Sequence, residues 1–149
     1  MTETKMTTRE LLQRLFRTTS VMRFIKRHGG HMLDAPFHTY LQDQCTLRGV
    51  SAAKVIDKSR IERTFGHHIF SGRKNPSRDK VLQLAFGFEM NYEGAQELLK
   101  MARKSALYPK IMRDAVVIQG LERGLTLNQV QAALAELSLP IIGKEGRYE

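Results

Sequence analysis

Apolar residues recur along this chain at the spacing of an amphipathic helix, and polar caps and glycines bracket most of the stretches in which they recur. Residues 7–10, Thr-Thr-Arg-Glu, form a capping box ahead of Leu11, Leu12 and Leu15, and residues 126–129, Thr-Leu-Asn-Gln, form a second one. No stretch alternates apolar and polar residues over the length that a half-buried strand requires. The pattern therefore predicts an all-α protein with essentially no sheet.

The caps and stop residues give each predicted helix its approximate bounds. The first helix runs through Phe16, and the second, from Ser20 to Arg27, ends at Gly29 and Gly30, which suit a left-handed C-cap. Residues 29–35 are interpreted as a linker. Helices are then predicted over residues 36–49, from a cap at Ser51 onward, and over residues 61–70, 77–86, 91–104, 109–124 and 126–139. The last two are expected to pair as a helical hairpin.

Basic residues outnumber acidic ones, and the excess lies in the first two thirds of the chain. Lys and Arg number 24 against 15 Asp and Glu, which gives a net charge of +9. The basic and acidic counts are 7 and 3 in residues 1–34, 9 and 5 in residues 35–90, and 8 and 7 in residues 91–149. A positive field attracts polyanions without identifying them. On charge alone, DNA, RNA and a membrane surface all stay open.

Cysteine content and hydropathy limit the cellular compartments in which this protein is expected. The single cysteine, Cys45, can form no internal disulfide, and no cysteine pair stands at zinc-ligand spacing, which favours a reducing cytoplasm. The first residues are polar and lack the apolar core of a signal peptide, and no run reaches the roughly 18 apolar residues of a membrane span. These signals predict a cytoplasmic protein that is neither secreted nor membrane-spanning, and no membrane partner is expected.

The strongest motif lies in residues 55–77, which read VIDKSRIERTFGHHIFSGRKNPS. This segment resembles the heart of lambda-repressor-like (Cro, xenobiotic-response-element) helix-turn-helix domains. In that family an apolar pair near the end of helix 2 precedes a tight turn, a recognition helix and a Gly-basic-basic-Asn-Pro-Ser segment that enters helix 4. Residues 72–77 match that segment, and Val81, Leu84, Ala85 and Phe88 fall where the family places its helix 4 core.

The resemblance implies a five-helix domain over residues 36–104. A helical extension over residues 1–35 and a helical hairpin with a tail over residues 105–149 would flank that domain. The sequence differs from the family at two positions. Arg60 stands in the turn where glycine is usual, and the recognition helix contains Gly66, which would permit close helix packing.

The resemblance also implies a function, that of a sequence-specific DNA-binding transcriptional regulator of bacterial or phage type. The recognition helix, residues 62–70, would lie in the major groove of double-stranded DNA, with Arg63, Thr64 and His67 facing base edges and Glu62 and His68 as secondary candidates. A homodimer would bind a pseudo-palindromic site. The residues expected at phosphate follow the recognition helix: Ser71, Arg73, Lys74, Asn75 and Arg78, with Lys80 as an addition.

The alternative is a helix-turn-helix fold reused as a protein-interaction or adaptor module, which would dock a partner through residues 1–35 or 109–139. No enzyme activity, cofactor or metal site is predicted. The five histidines, residues 28, 31, 38, 67 and 68, lack the spacing of converging ligands, and Cys45 lies on an apolar stripe and is interpreted as a core residue. No nucleophile, phosphate-loop or dinucleotide motif is present.

Overall fold

The computed structural model describes residues 6–29, 32 and 35–143, and within these residues the protein is helical without any strand. The all-α prediction is confirmed. The chain divides into two compact units, Met1–Ala35 and Pro36–Glu149. The helices of the described residues are α1 Thr8–Arg17, α2 Val21–His28, α3 Phe37–Arg48, α4 Ala52–Ser59, α5 Arg63–Phe70, α6 Arg78–Gly87, α7 Tyr92–Met101, α8 Met112–Glu122 and α9 Leu127–Glu136.

The first unit contains two short capped helices. The Thr7 hydroxyl accepts a hydrogen bond from the Glu10 backbone N–H, and the Glu10 carboxylate accepts one from the Thr7 N–H, which completes the predicted capping box of α1. Ser20 caps α2 through the Arg23 N–H. The C-cap of α2, Gly29, has right-handed backbone angles, so Gly29 is not the left-handed residue that was predicted for Gly29 or Gly30. Gly30, His31 and part of the predicted linker lie outside the described residues.

The second unit is built around α6, which is buried along almost its whole length. Val81, Leu82 and Leu84 have no solvent exposure, and α6 packs against α4, α7 and α9. Ser77 caps α6 by accepting a hydrogen bond from the Lys80 N–H. Helix α6 also buries polar side chains, those of Asp79, Lys80 and Gln83, so almost every side of the helix lies against the rest of the unit.

Two predicted helix ends in the hairpin region were wrong. Helix α8 begins at Met112 rather than at Pro109, and α9 ends at Glu136, before Pro140. The Asp114 carboxylate accepts a hydrogen bond from the Tyr108 N–H at 3.0 Å, which holds the preceding segment in a non-helical conformation. Shortly after the end of α9, Ser138 has φ of 58°, which lies in the left-handed region, so the chain does not continue as a helix there. Helix α7 likewise stops at Met101, three residues before the predicted end.

Two ion pairs join the hairpin to α6. The dipeptide Arg-Asp occurs at residues 78–79 and again at residues 113–114, and the two copies pair reciprocally. Arg78 contacts Asp114 at 3.0 Å and Arg113 contacts Asp79 at 2.9 Å. Arg113 also donates to the carbonyl oxygens of residues 140 and 141. The hairpin therefore belongs to the same compact unit as residues 36–104.

Candidate nucleic-acid interface

Helix α5 has one buried side and one exposed side. Gly66, Ile69 and Phe70 are buried against the core, and Ile69 is only 1% exposed. Arg63, Thr64 and His67 are all exposed. At about 100° per residue, these three positions fall within an arc of roughly 100° on the helix. The three expected base-reading side chains thus lie on one solvent-facing side of α5.

Both ends of α5 are held by side-chain hydrogen bonds. At the start, the Glu62 carboxylate accepts from the backbone N–H groups of Thr64 at 2.7 Å and Phe65 at 3.0 Å. These two bonds favour the charged form and hold the pKa of Glu62 below its usual value. At the end, the Gln42 side chain on α3 donates to the Phe70 carbonyl at 2.8 Å. Glu62 is therefore the N-cap of α5, a role that the sequence reasoning did not assign to it.

The contact between α4 and α5 depends on Gly66. A Cβ atom at this position would lie 2.5 Å from Cγ2 of Ile56, a distance that real Cβ contacts do not show. The absence of a side chain lets the α5 backbone approach α4, as the sequence suggested. The close approach fixes the position of α5 relative to the rest of the second unit.

The turn from α4 to α5 is ordered by a buried serine and a left-handed arginine. The Ser59 hydroxyl donates to the Ile56 carbonyl at 2.7 Å and accepts from the Ile61 N–H at 3.4 Å. Arg60 has φ of 61° and ψ of 21°, and its N–H donates to the Asp57 carbonyl. This is the left-handed region that glycine occupies without strain, which explains why glycine is the usual residue of such turns.

The loop after α5, residues 71–77, is folded back onto the helix by one carbonyl group. The His68 carbonyl accepts from the N–H groups of Arg73 at 2.9 Å and Lys74 at 3.1 Å, and from the Ser71 hydroxyl at 3.2 Å. Gly72 has φ of 84°, and a Cβ there would meet the ring of His38. The backbone of the loop is thereby fixed, and the exposed side chains project outward: Ser71, Arg73, Lys74 and Asn75.

Arg78 and Lys80 have a different environment from the loop residues. The Arg78 guanidinium donates to both carboxylate oxygens of Asp114 and to the carbonyl oxygens of Ser105 and Ala106. Lys80 is only 9% exposed, and its Nζ lies 5.8 Å from the centre of the Phe65 ring. Internal contacts thus occupy both side chains, and contact of Arg78 with phosphate stays a prediction that this geometry does not favour.

A groove of about 580 Å³ lies between α4 and the first half of α5. Its charged and polar lining consists of Arg60, Arg63, His67, Asp57 and Glu62. Among the ion pairs between described residues, none involves either of these two arginines. The groove therefore has, beside the exposed side of α5, two guanidinium groups that form no ion pair with any described residue.

The histidines and the cysteine form no metal site in the described part of the chain, where no three metal-ligating residues converge. His28 is buried and packs on Phe24 with ring centres 4.8 Å apart. Cys45 is partly buried against the core, and this burial raises the pKa of its thiol. Of the helices that the structure describes, none has the length and apolar character needed to cross a membrane.

Comparison of the chain with protein-family models, with curated proteins and with solved structures found no significant match.

Proposed function

We propose that this protein is a sequence-specific regulator that binds double-stranded DNA through a helix-turn-helix unit formed by α4 and α5. Helices α3 to α7 would be the five helices of a lambda-repressor-like domain. The proposal rests on the geometry of α5. Side-chain hydrogen bonds anchor the helix at both ends, one side is buried, and the other side exposes Arg63, Thr64 and His67.

Base reading would come from the exposed side of α5 in the major groove. An arginine can donate two parallel hydrogen bonds to O6 and N7 of guanine, and a threonine can bond to a base edge or contact the thymine methyl group. Arg63 and Thr64 stand in the first turn of the helix, the part that enters the groove in such complexes. Because the backbone of α5 is already fixed, little backbone conformational freedom would be lost when these side chains bind.

Phosphate binding would come from the loop that follows α5. Arg73 and Lys74 are exposed, and no ion pair between described residues involves them. Because their backbone N–H groups already bond to the His68 carbonyl, their contribution to binding would come from their charged side chains. Ser71 and Asn75 could add hydrogen bonds to neighbouring phosphate oxygens. Arg78 is left out of the proposed interface because Asp114 holds it.

The test is a selection from random duplex DNA by the full chain at a stated salt concentration. A DNA-reading protein should enrich one motif, and a homodimer should enrich that motif twice as an inverted repeat. Association that depends on salt but enriches no motif would be the behaviour of any protein with this net charge, and would contradict the proposal.

A second candidate function, docking of a protein partner through the first unit, is favoured by the exposure of apolar side chains there. A cluster of exposed apolar side chains, unlike single scattered ones, is typical of an interaction surface. Phe16 is 76% exposed and Met22 is 79% exposed, and four further apolar side chains of the same two helices are exposed: Leu12, Leu15, Val21 and Ile25.

The second candidate is tested by the double variant Phe16→Ser, Met22→Ser. If a second copy of the chain docks on this surface, the variant should keep its affinity for a single DNA half-site and lose self-association, measured by sedimentation. Loss of half-site binding with unchanged association would place these residues in the DNA interface instead, and would contradict the docking role.

A further inference from the structure

The turn between α4 and α5 contains an exposed arginine, Arg60, at a position where glycine would be unstrained. Arg60 has φ of 61°, which a residue with a Cβ adopts at some energetic cost. Left-handed angles are not peculiar to this turn, because Glu89, Arg103 and Ser138 adopt them at the ends of other helices. The backbone conformation therefore does not distinguish Arg60 from these residues, whereas the location of its side chain does.

That location is the groove between α4 and α5. Arg60 lines it together with Arg63 and His67, two of the residues proposed to read bases. Two carboxylates also line the groove. Glu62 is engaged by the N–H groups at the start of α5, and Asp57, on the last turn of α4, is exposed. Arg60 forms an ion pair with neither of them, nor with another described residue.

We propose that Arg60 is a further DNA contact that binds a backbone phosphate beside the entry point of α5. This inference rests on the proposed function and deepens it. Arg60 precedes the N-cap of α5, so it lies outside the helix that would enter the major groove of the DNA. At that point the sugar-phosphate strand would border the helix. A guanidinium binds phosphate oxygens through two parallel N–H groups, which an ammonium cannot do.

The variant Arg60→Gly separates binding from folding, because it should lower DNA affinity without lowering the stability of the fold. Glycine adopts φ of 61° without strain, so the variant should melt no lower than the wild type, and up to roughly 4 °C higher. One lost phosphate contact should reduce the slope of log affinity against log salt by about 0.9, which corresponds to about eightfold weaker binding at 0.1 M salt. The loss should be equal on the selected duplex and on random duplexes.

The matched control is Arg103→Gly. Arg103 is also an exposed arginine, with φ of 60°, but it follows α7 and does not line the groove. Arg103→Gly removes the same charge and the same strain, and it should leave DNA affinity unchanged. Arg60→Lys keeps the charge and should retain the salt slope while losing part of the affinity.

Four results would overturn the assignment. Wild-type affinity and slope in Arg60→Gly, with weaker binding by Arg63→Ala, would remove Arg60 from the interface and leave the proposed function intact. A loss confined to the selected duplex would make Arg60 a base reader. An equal loss in Arg103→Gly would reveal a general effect of charge. Failure of the wild-type chain to bind any duplex would overturn this inference and the proposed function together.

Discussion

Arginines that are near one another in this sequence have different roles because their surroundings differ. Arg63 and Arg73 are exposed and form no ion pair with described residues, whereas the side chain of Arg78 is 24% exposed and bonds to Asp114. A charged group without a partner can bind an external anion without breaking an internal contact. Removing Arg78 would instead leave the carboxylate of Asp114, which is 3% exposed, without its cation.

Arg63→Ala should mainly reduce specificity. If Arg63 donates two hydrogen bonds to a guanine, the variant should lose about 1–3 kcal/mol on the selected sequence and much less on random duplex, measured by equilibrium titration. Arg63→Lys should recover only part of the loss, since an ammonium lacks the planar pair of donors. Arg123→Ala, an exposed arginine at the end of α8, is the control. Equal losses on every duplex would contradict base reading by Arg63.

Arg73→Ala and Lys74→Ala should weaken binding to specific and random DNA alike. Each phosphate contact releases counterions, so each variant should reduce the salt slope by about one unit. The measurement is affinity across a series of salt concentrations, with melting midpoints as a check on folding. If both variants keep the wild-type slope and affinity, the loop after α5 is not part of the interface.

At the scale of the helix, α5 is positioned by contacts from two neighbours rather than by its own helix propensity. Its sequence contains a glycine and several residues with branched or aromatic side chains, all weak helix formers. What compensates is the cap from Glu62, the hydrogen bond from Gln42, and the close packing of Gly66 on Ile56. A helix held in this way keeps the direction of its exposed side chains.

Gly66→Ala should destabilise the fold, although alanine is about 1 kcal/mol better than glycine in an isolated helix. The new Cβ would overlap the branched side chain of Ile56, and overpacking of this kind costs about 1–3 kcal/mol. Thermal or urea unfolding measures the change. Gly29→Ala is the control, because no described residue outside its chain neighbours lies within 4 Å of its Cβ position and its angles suit alanine. A variant at Gly66 that is more stable than the wild type would contradict the close contact.

Glu62→Gln should lose stability at neutral pH and resemble the wild type in acid. The folded-state pKa of Glu62 is lowered by its hydrogen bonds, so its contribution is present above the unfolded pKa and is lost as pH falls through the folded pKa. The difference in melting midpoint between the two proteins should therefore shrink between pH 6 and about pH 3. A difference that stays constant over this range would mean that the charge of Glu62 contributes nothing to the cap.

At the scale of the whole molecule, the crossed ion pairs make the hairpin part of the second unit. Residue pairs 78 with 114 and 79 with 113 hold α8 against the start of α6, close to the loop that carries Arg73 and Lys74. Asp79 also accepts a hydrogen bond from the Gly143 N–H at 2.9 Å, which fixes the segment after α9. The hairpin thereby holds the start of α6, the helix that the loop enters.

Asp79→Asn should destabilise the second unit by about 2–3 kcal/mol, less than a fully buried pair because the side chain of Arg113 is 19% exposed. The variant leaves Arg113 without its carboxylate and weakens the bond to Gly143. Lys58→Met, which breaks an ion pair with both side chains largely exposed, is the control and should cost less than about 1 kcal/mol. Equal losses in the two variants, measured by denaturant unfolding, would contradict the structural role of the crossed pairs.

Local sequence determined where most helices start and which side of α5 is exposed. The caps at Thr7, Ser51, Ser77 and Thr126 form where the sequence predicted them, because a capping side chain reaches an N–H only two or three residues away. The apolar spacing likewise predicted that Ile69 is buried, since helical periodicity is a property of neighbouring residues.

Only the tertiary structure decided which charged residues are free to bind a partner. The partners of Arg78 and Asp79 lie 36 and 34 positions further along the chain, and nothing in the local pattern shows that they meet. The same holds for Gln42, which bonds to the end of α5 from 28 positions away. It holds also for the start of α8, because the buried Asp114 accepts a hydrogen bond from the Tyr108 N–H and the helix begins after that segment. Pairings over such distances depend on how the helices pack, and packing depends on the shapes of all the side chains in the core together.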